Sequence, residues 1–367
     1  MKPDLKGMTR GELERYMASI GEAPYRGRQI AEWLYRHGAA SFDEMTTLSK
    51  ALRGRLADEA KIGNIVPLSE TADPGGGARK YLFRLEDGET IETVFIRLAH
   101  SRSVCLSSQV GCPAGCAFCA TGAMGFRRNL SAGEIVDQFL KVRASLPGDA
   151  RPTHAVFMGM GEPLLNIDEV QNAIRILLSP EGPGLGPRRV TVSTCGIIPG
   201  IRRLAGAGLR VELAVSLIAS DEEVRGSIFP LAREYPLAEV VAAAGEYAAS
   251  VGRPVTFEYL LLKGLNDSRE DAGRLARLLR GVRCKVNLIL YNPAGTGGFE
   301  PSGEPRAAEF AKWLIPARVA VTVRRSKGAR IGAACGQLRA GHDPAGGRVG
   351  TCMEGRAGPP GGETDAE

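Results

Sequence analysis

Gly111-Cys112-Pro113-Ala114-Gly115-Cys116-Ala117-Phe118-Cys119-Ala120-Thr121-Gly122 sets three cysteines at offsets 0, 4 and 7 of one short loop. A turn of this length can present three thiolates to one face of an iron–sulfur cube and leave the fourth iron without a protein ligand. Sites that only carry electrons fill every iron with cysteine, whereas a three-cysteine site keeps a coordination position for a substrate. A single zinc ion would need a fourth Cys or His nearby, and His100 and Cys105 are the candidates in the vicinity. The loop therefore predicts a [4Fe–4S] cluster on Cys112, Cys116 and Cys119, with zinc as its rival.

Outward from the loop, strands and helices alternate from about residue 102. Predicted strands are 103–108, 153–158, 190–194, 210–217, 254–262, 283–291 and 318–324. Helical periodicity falls on 132–146, 167–178, 199–207, 237–251, 268–280 and 305–315. Such βα repetition predicts an α/β protein with a parallel sheet and helices outside it. About six units suggest a partial (βα)6 barrel, open on one side, with its chemistry where the βα loops gather. The cysteine loop follows the first of these strands, as that rule expects.

Residues 8–60 read as helical, with Leu13, Met17 and Ile20 on one face and Ile30, Trp33, Leu34 and His37 on another. Thr9 and Ser41 stand in cap-like positions. Arg26, Arg28, Arg36, Lys50, Arg53 and Arg55 make the unit basic, which fits an RNA-facing surface and an ordinary solvated helix surface equally. Asp73-Pro-Gly-Gly-Gly-Ala78 is a turn before two short strands, 80–85 and 90–97, that pair around Glu86-Asp87-Gly88. The expected division is an N-terminal helical unit over 1–62, a hairpin linker over 63–101, the barrel with a C-terminal extension over 102–340, and a disordered tail over 341–367.

Composition sets wider bounds. At 367 residues the chain exceeds one compact core. Its hydrophobic content of 44% includes no run long enough to span a bilayer, and the N-terminus lacks a signal-peptide core, so a soluble cytoplasmic protein is expected. Eight cysteines in such a chain point to metal or thiol chemistry rather than a disulfide scaffold. The net charge of +6 is a mild bias toward polyanions.

The cysteine loop with Phe118 resembles the radical S-adenosylmethionine signature. The flanking text narrows the resemblance: Ser107-Ser-Gln-Val-Gly-Cys112, Ala120-Thr-Gly-Ala-Met-Gly-Phe-Arg-Arg-Asn-Leu130, Met158-Gly-Met-Gly-Glu-Pro-Leu-Leu-Asn166, Arg188-Arg-Val-Thr-Val-Ser-Thr194 and Ala333-Ala-Cys-Gly-Gln-Leu338. Together these blocks resemble the RlmN/Cfr family of radical S-adenosylmethionine RNA (adenine) methyltransferases, over about residues 10–340. The fold implied is a partial (βα)6 radical SAM barrel with a small N-terminal helical domain and a C-terminal extension.

The resemblance also implies a mechanism. Carbon 2 of adenine lies between two ring nitrogens and is too electron-poor to attack a sulfonium methyl group, but a carbon radical can add to it. A reduced cluster would split S-adenosylmethionine to a 5′-deoxyadenosyl radical. Cys335 matches the cysteine that is first methylated by S-adenosylmethionine and then, as a methylene radical, joins the base, so two molecules are used per turnover. Glu92 matches the base that takes the carbon-2 proton. Cys105 matches the thiol that attacks Cys335, releasing methylated RNA and leaving a transient Cys105–Cys335 disulfide. Gly161, Glu162, Ser193, Ser216, Leu217, Ile218 and Asn292 fall where the family contacts S-adenosylmethionine. Two positions depart from the pattern, Ile218 where His is usual and Cys195 where Ser is common. Implied partners are 23S ribosomal RNA before ribosome assembly is complete, a transfer RNA anticodon loop, and an electron donor such as flavodoxin, with the chain acting as a monomer.

Read from the residues alone, other meanings stay open. Cys335 fits a small buried residue by a glycine turn, Cys105 a core position sharing a face with Ser107 and Gln109, and Glu92 a solvent-facing strand carboxylate. Cys195, Cys284 and Cys352 carry no implied role. The Arg324-Arg-Ser-Lys327 run could hold phosphates. Rival functions are methylation at carbon 8 of the adenine, another radical enzyme such as a glycyl-radical activase, and a non-enzymatic zinc-bearing RNA-binding protein.

Overall fold

The computed structural model describes residues 2–339; the expected tail over 341–367 and Cys352 lie outside the described residues. Three helices open the chain: α1 (Arg10–Ser19), α2 (Tyr25–Ala31) and α3 (Lys50–Glu59). Thr9 caps α1 in a reciprocal box with Glu12, and Ser49 caps α3. Leu13, Met17, Ile30, Leu34, Leu52 and Leu56 form their shared apolar core. One expected position moves. α2 runs into a π-helical turn, Glu32–His37, whose wider ring rotates the side chains that follow. Tyr35 is buried in place of His37, which is exposed. The Tyr35 hydroxyl accepts from the Gly7 N–H (3.1 Å) and donates to the Met8 carbonyl (2.6 Å), fixing the segment ahead of α1.

β1 (Val66–Ala72), β2 (Ala78–Arg84) and β3 (Thr90–Arg97) form an antiparallel meander. β3 then pairs antiparallel with β4 (Arg102–Cys105). The hairpin expected around Glu86-Asp87-Gly88 is β2 with β3, and with β1 it extends the main sheet. β1 escaped detection because every one of its side chains is exposed, so it carries no apolar alternation.

Past β4, a two-stranded ribbon of β5 (Gln109–Gly111) and β6 (Phe126–Asn129) brackets the cysteine loop and the short α4 (Ala120–Ala123). The chain continues through α5 (Ala132–Ser145), β7 (His154–Phe157), α6 (Ile167–Leu178), β8 (Val190–Thr194), α7 (Ile198–Gly206), β9 (Glu212–Ser216), α8 (Glu222–Ile228), α9 (Leu237–Val251) and β10 (Val255–Leu261). It ends with α10 (Arg269–Leu278), β11 (Cys284–Leu290), α11 (Gly303–Trp313) and β12 (Ala320–Arg324). β4 and β7 to β12 lie parallel and in chain order, and β1 and β12 are the sheet's two edges, so the barrel does not close. This is the partial (βα)6 barrel with N-terminal helices and a C-terminal extension, and β12 is the strand that leads into the extension. Helix α6 shows why the layers hold: Ile167, Val170, Ala173, Ile174 and Leu177 bury one face against the sheet. Among the described residues no helix is long and apolar enough to cross a membrane.

The N-terminal segment is anchored to the barrel by a buried ion pair. Lys6 Nζ lies 2.9 Å from Asp137 Oδ1 on α5, with both side chains 3% exposed. The second oxygen of Asp137 accepts from the Ile65 N–H at 2.9 Å. Lys6→Met strands a buried carboxylate and is expected to lower the unfolding free energy by about 3 kcal/mol in urea titration. Replacing both partners by apolar residues should recover part of that loss.

Candidate active site

The cysteine loop is closed at its base by the ribbon. The Cys112 N–H donates to the Gly125 carbonyl at 2.8 Å, and Gly111 takes φ +72° where a Cβ would sit 1.9 Å from the Gly125 oxygen. Only glycine fits there. Farther round, the Ala117 N–H donates to the Ile228 carbonyl at the end of α8 (2.8 Å). Cys112, Cys116 and Cys119 all line one cavity at the C-terminal ends of the parallel strands. Burial pushes the Cys112 thiol up to about 12 and the Cys116 thiol well above its ordinary range. Enclosed thiols of this kind ionise when a metal centre compensates their charge. The offsets of 0, 4 and 7 within one loop fit an iron–sulfur cluster, and His100, a candidate fourth ligand for zinc, is exposed.

The same cavity is lined by Gly161, Glu162, Ser193, Ser216, Ile218 and Cys335. Glu162 is buried, and its carboxylate accepts from the N–H groups of Leu164 (2.9 Å) and Cys195 (2.8 Å). Burial raises its pKa, and these donors pull it back. Gly161 has φ +97°, and a Cβ would meet the Gln109 side chain at 2.6 Å. Gln109 links the two motifs: its amide oxygen accepts from the Glu162 N–H (2.8 Å) and its amide nitrogen donates to Asn129 (2.9 Å). Asn166, at the end of the Met158–Asn166 block, donates to the carbonyls of Ser108 (2.9 Å) and Leu130 (2.8 Å). Much of these two sequence blocks therefore serves to hold the loop that carries the cysteines.

Leu217 and Asn292 do not line the cavity. Leu217 is buried in the core, its N–H donating to the Glu258 carbonyl at 3.0 Å. Asn292 donates to Ser326 (2.8 Å) and toward the Cys335 carbonyl (3.5 Å), so it holds the cysteine's loop. Ile218 adopts φ +70°, unusual for a β-branched residue, while its carbonyl accepts from Asn266 (2.8 Å).

Cys335 is exposed, against the buried reading of that residue. Its segment is strapped to the cysteine loop: the Ala120 N–H donates to the Gly336 carbonyl (2.7 Å) and the Thr121 hydroxyl to the Leu338 carbonyl (2.5 Å). Cys105 is buried at the end of β4, and burial with the neighbouring Cys335 pushes its thiol up to about 12. Both are free thiols, so no disulfide joins them in this state. Glu92 is 3% exposed, not a solvent-facing carboxylate. Its carboxylate contacts Lys80 (3.0 Å) and accepts from the Arg339 N–H (2.8 Å).

Two cavity residues had no reading from sequence as parts of this site. Glu258 on β10 is buried; Asn287 donates to one oxygen (3.0 Å), and the other has no donor. An enclosed acceptor of this kind fits a hydroxyl or amine from a bound cofactor. A carboxylate inside the apolar run Val255–Leu261 was the signal available. Arg324, read only as a phosphate holder, lines the cavity 3.9 Å from Glu258. Among the N-terminal cations, Arg36 and Arg55 pair with Glu32 and Glu59 on their own helices, and Arg28 faces Glu181. That pairing favours a solvated surface for these three.

A parallel open barrel with a three-cysteine loop at its mouth defines a radical S-adenosylmethionine enzyme, and residues 106–276 match the Radical SAM superfamily model. Residues 3–62 match the Ribosomal RNA large subunit methyltransferase N-terminal domain. The chain is 46% identical over 336 residues to a probable dual-specificity RNA methyltransferase RlmN from Symbiobacterium thermophilum, covering 91% of each protein. It is 43% identical over 348 residues to the dual-specificity RNA methyltransferase RlmN of Anaeromyxobacter dehalogenans, covering 93% of each. The solved structure of a radical SAM methyltransferase from Sphaerobacter thermophilus superposes with a TM-score of 0.87 at 45% identity, over 92% of this chain and 99% of that one. The chain belongs to the RlmN family of radical S-adenosylmethionine methyltransferases, and its cofactor system is iron–sulfur with S-adenosylmethionine.

Gly111→Ala forces a Cβ onto the Gly125 carbonyl and should open the base of the loop. The expected outcome is loss of most iron and sulfide on anaerobic reconstitution, with far-ultraviolet circular dichroism unchanged.

Proposed function

We propose that this protein methylates carbon 2 of one adenine in 23S ribosomal RNA and of one adenine in a transfer RNA anticodon loop. It would use one [4Fe–4S] cluster held by Cys112, Cys116 and Cys119, and two molecules of S-adenosylmethionine per turnover. The observation that carries this reading is Cys335: its segment is hydrogen-bonded to the cysteine loop at Ala120 and Thr121, and it lines the same cavity as the three cluster thiols. A radical enzyme of the activase kind would have no use for a thiol in that place.

When bound, the cluster and S-adenosylmethionine supply a radical able to take hydrogen from a methyl group. Gly161, Glu162, Ser193, Ser216 and Ile218 bind the cofactor from the cavity wall, while Leu217 and Asn292 support that wall from behind. Cys335 accepts a methyl group on its sulfur and presents it to the base. Glu92 takes the proton from carbon 2. Cys105 then forms a bond to the Cys335 sulfur as the carbon–sulfur bond breaks. The electron pair goes to carbon, the thiol proton completes the new methyl group, and a Cys105–Cys335 disulfide remains to be reduced. The target adenine must leave its stack to reach a barrel mouth, which suits loop adenines.

The enzyme acts as a monomer in the cytoplasm on ribosomal RNA not yet fully assembled, with a flavodoxin-like electron donor. The N-terminal unit over 1–62 is its RNA-contacting domain. Anaerobic reconstitution with precursor ribosomal RNA and transfer RNA, followed by nucleoside mass spectrometry, tests the whole reading. The expected product is 2-methyladenosine from both RNAs; 8-methyladenosine, or no methyladenosine under reducing conditions, overturns it. Cys335→Ala should abolish product, whereas Cys105→Ala should accumulate a covalent protein–RNA species on denaturing gels.

A further inference from the structure

Beside the carboxylate assigned as the base stands a cation with no assigned role. Lys80 on β2 and Glu92 on β3 share a face of the meander, because Lys80 lies opposite Val94 and Leu82 opposite Glu92. Diagonal neighbours of that kind are within reach of long side chains. The Lys80 Nζ sits 3.0 Å from Glu92 Oε1, with the side chains 21% and 5% exposed. The same ammonium reaches the Gly332 carbonyl at 3.4 Å, three positions before Cys335 in the segment strapped to the cysteine loop. One cation therefore touches both the carboxylate and the loop that bears the methyl-carrying sulfur. In a mostly enclosed site such a pair is held by geometry rather than by chance collision.

We propose that Lys80 is a positioning residue for the deprotonation step, fixing the Glu92 carboxylate in its charged form and in register with the Cys335 segment. The proposal rests on the assignment of Glu92 as the base. In that step the carbon-2 C–H bond breaks, the proton passes to a Glu92 oxygen, and the electron pair stays with the ring. The adduct must also give up one electron, which an iron–sulfur centre held by Cys112, Cys116 and Cys119 would accept. Lys80 and the Arg339 N–H occupy one lone pair on each carboxylate oxygen, which leaves acceptor sites free for the proton. Among the described residues, the charged groups that act on Glu92 include Lys80 from β2 and Arg339 from the C-terminal segment. Its backbone is held by uncharged groups: Ser107 donates to its carbonyl (2.6 Å) and its N–H meets the Met160 sulfur (3.3 Å). Burial raises the Glu92 pKa, and Lys80 is the largest influence pulling it back. Without Lys80 the carboxyl holds its proton to higher pH, so the base is lost first on the acid side.

The test uses reconstituted enzyme with Lys80→Gln, which keeps a donor toward Gly332 but removes the charge, and with Lys80→Arg as the conservative rescue. Methylation of Cys335 is read by peptide mass spectrometry and RNA product by nucleoside mass spectrometry across pH. Lys80→Gln should methylate Cys335 as the parent does, yet form product roughly tenfold more slowly near pH 6.5, with the gap closing by about pH 8.5. Lys80→Arg should restore the parent profile. A Lys80→Gln profile that superimposes on the parent, or an equal loss at every pH, overturns the proposal. Glu92→Gln separates the two claims: if it forms product at the parent rate, the assignment of the base falls. If it blocks product while Lys80→Gln leaves the pH profile unmoved, only the role of Lys80 falls.

Discussion

Two hydrogen bonds join the three-cysteine loop to the segment that carries Cys335: Ala120 N–H to the Gly336 carbonyl, and the Thr121 hydroxyl to the Leu338 carbonyl, the second across 217 positions of chain. The chemistry proposed for this enzyme depends on that closure. A radical made at one cysteine loop has to meet a methyl group on another, and diffusion of a free segment would lose it to side reactions. Ordering a distant loop costs conformational entropy that grows slowly with its length. The barrel meets that cost by ending its last parallel strand, β12, close to the cavity, so only a short segment remains to be tied down.

The polar residues of the site divide by what they touch. Gln109 and Asn166 carry no charge and line no part of the cavity, yet they satisfy backbone groups on both sides of the cysteine loop. Their work is to make irregular backbone possible in a buried place, where an unpaired N–H or carbonyl would be costly. Glu162 does a similar service with its two accepted N–H bonds and also faces the cavity. Glu258 differs from all of these. Among the described residues, its second oxygen is a buried carboxylate oxygen in the cavity wall that has no donor.

Burial sets the electrostatics. The Cys105, Cys112 and Cys116 thiols and the Glu92, Glu162 and Glu258 carboxyls are all pushed toward their neutral forms by enclosure. Specific neighbours offset part of this for most of them, Lys80 and the Arg339 N–H for Glu92 and Arg324 for Cys105 and Glu258. Arg324 illustrates the arrangement: burial would lower its pKa, but Cys335, Glu258 and Cys105 around it hold it raised. In an enclosed site of this kind charges act strongly at short range.

The spacing of Cys112, Cys116 and Cys119, the βα alternation and the ordered motif blocks were legible without coordinates, because each is a local pattern with a local physical cause. They determined the barrel, the three-cysteine loop and the family. Tertiary structure decided the rest. The sequence of β1 could not reveal a fully exposed strand, and a helical period carried past Ala31 put His37 where the π-helical turn buries Tyr35. Nor could spacing show that Lys80 meets Glu92, that Asn292 braces the Cys335 loop, or that one Glu258 oxygen lacks a donor. Those facts depend on strand register and on chain segments that meet only after folding, and long-range contact leaves no periodic trace in a single sequence.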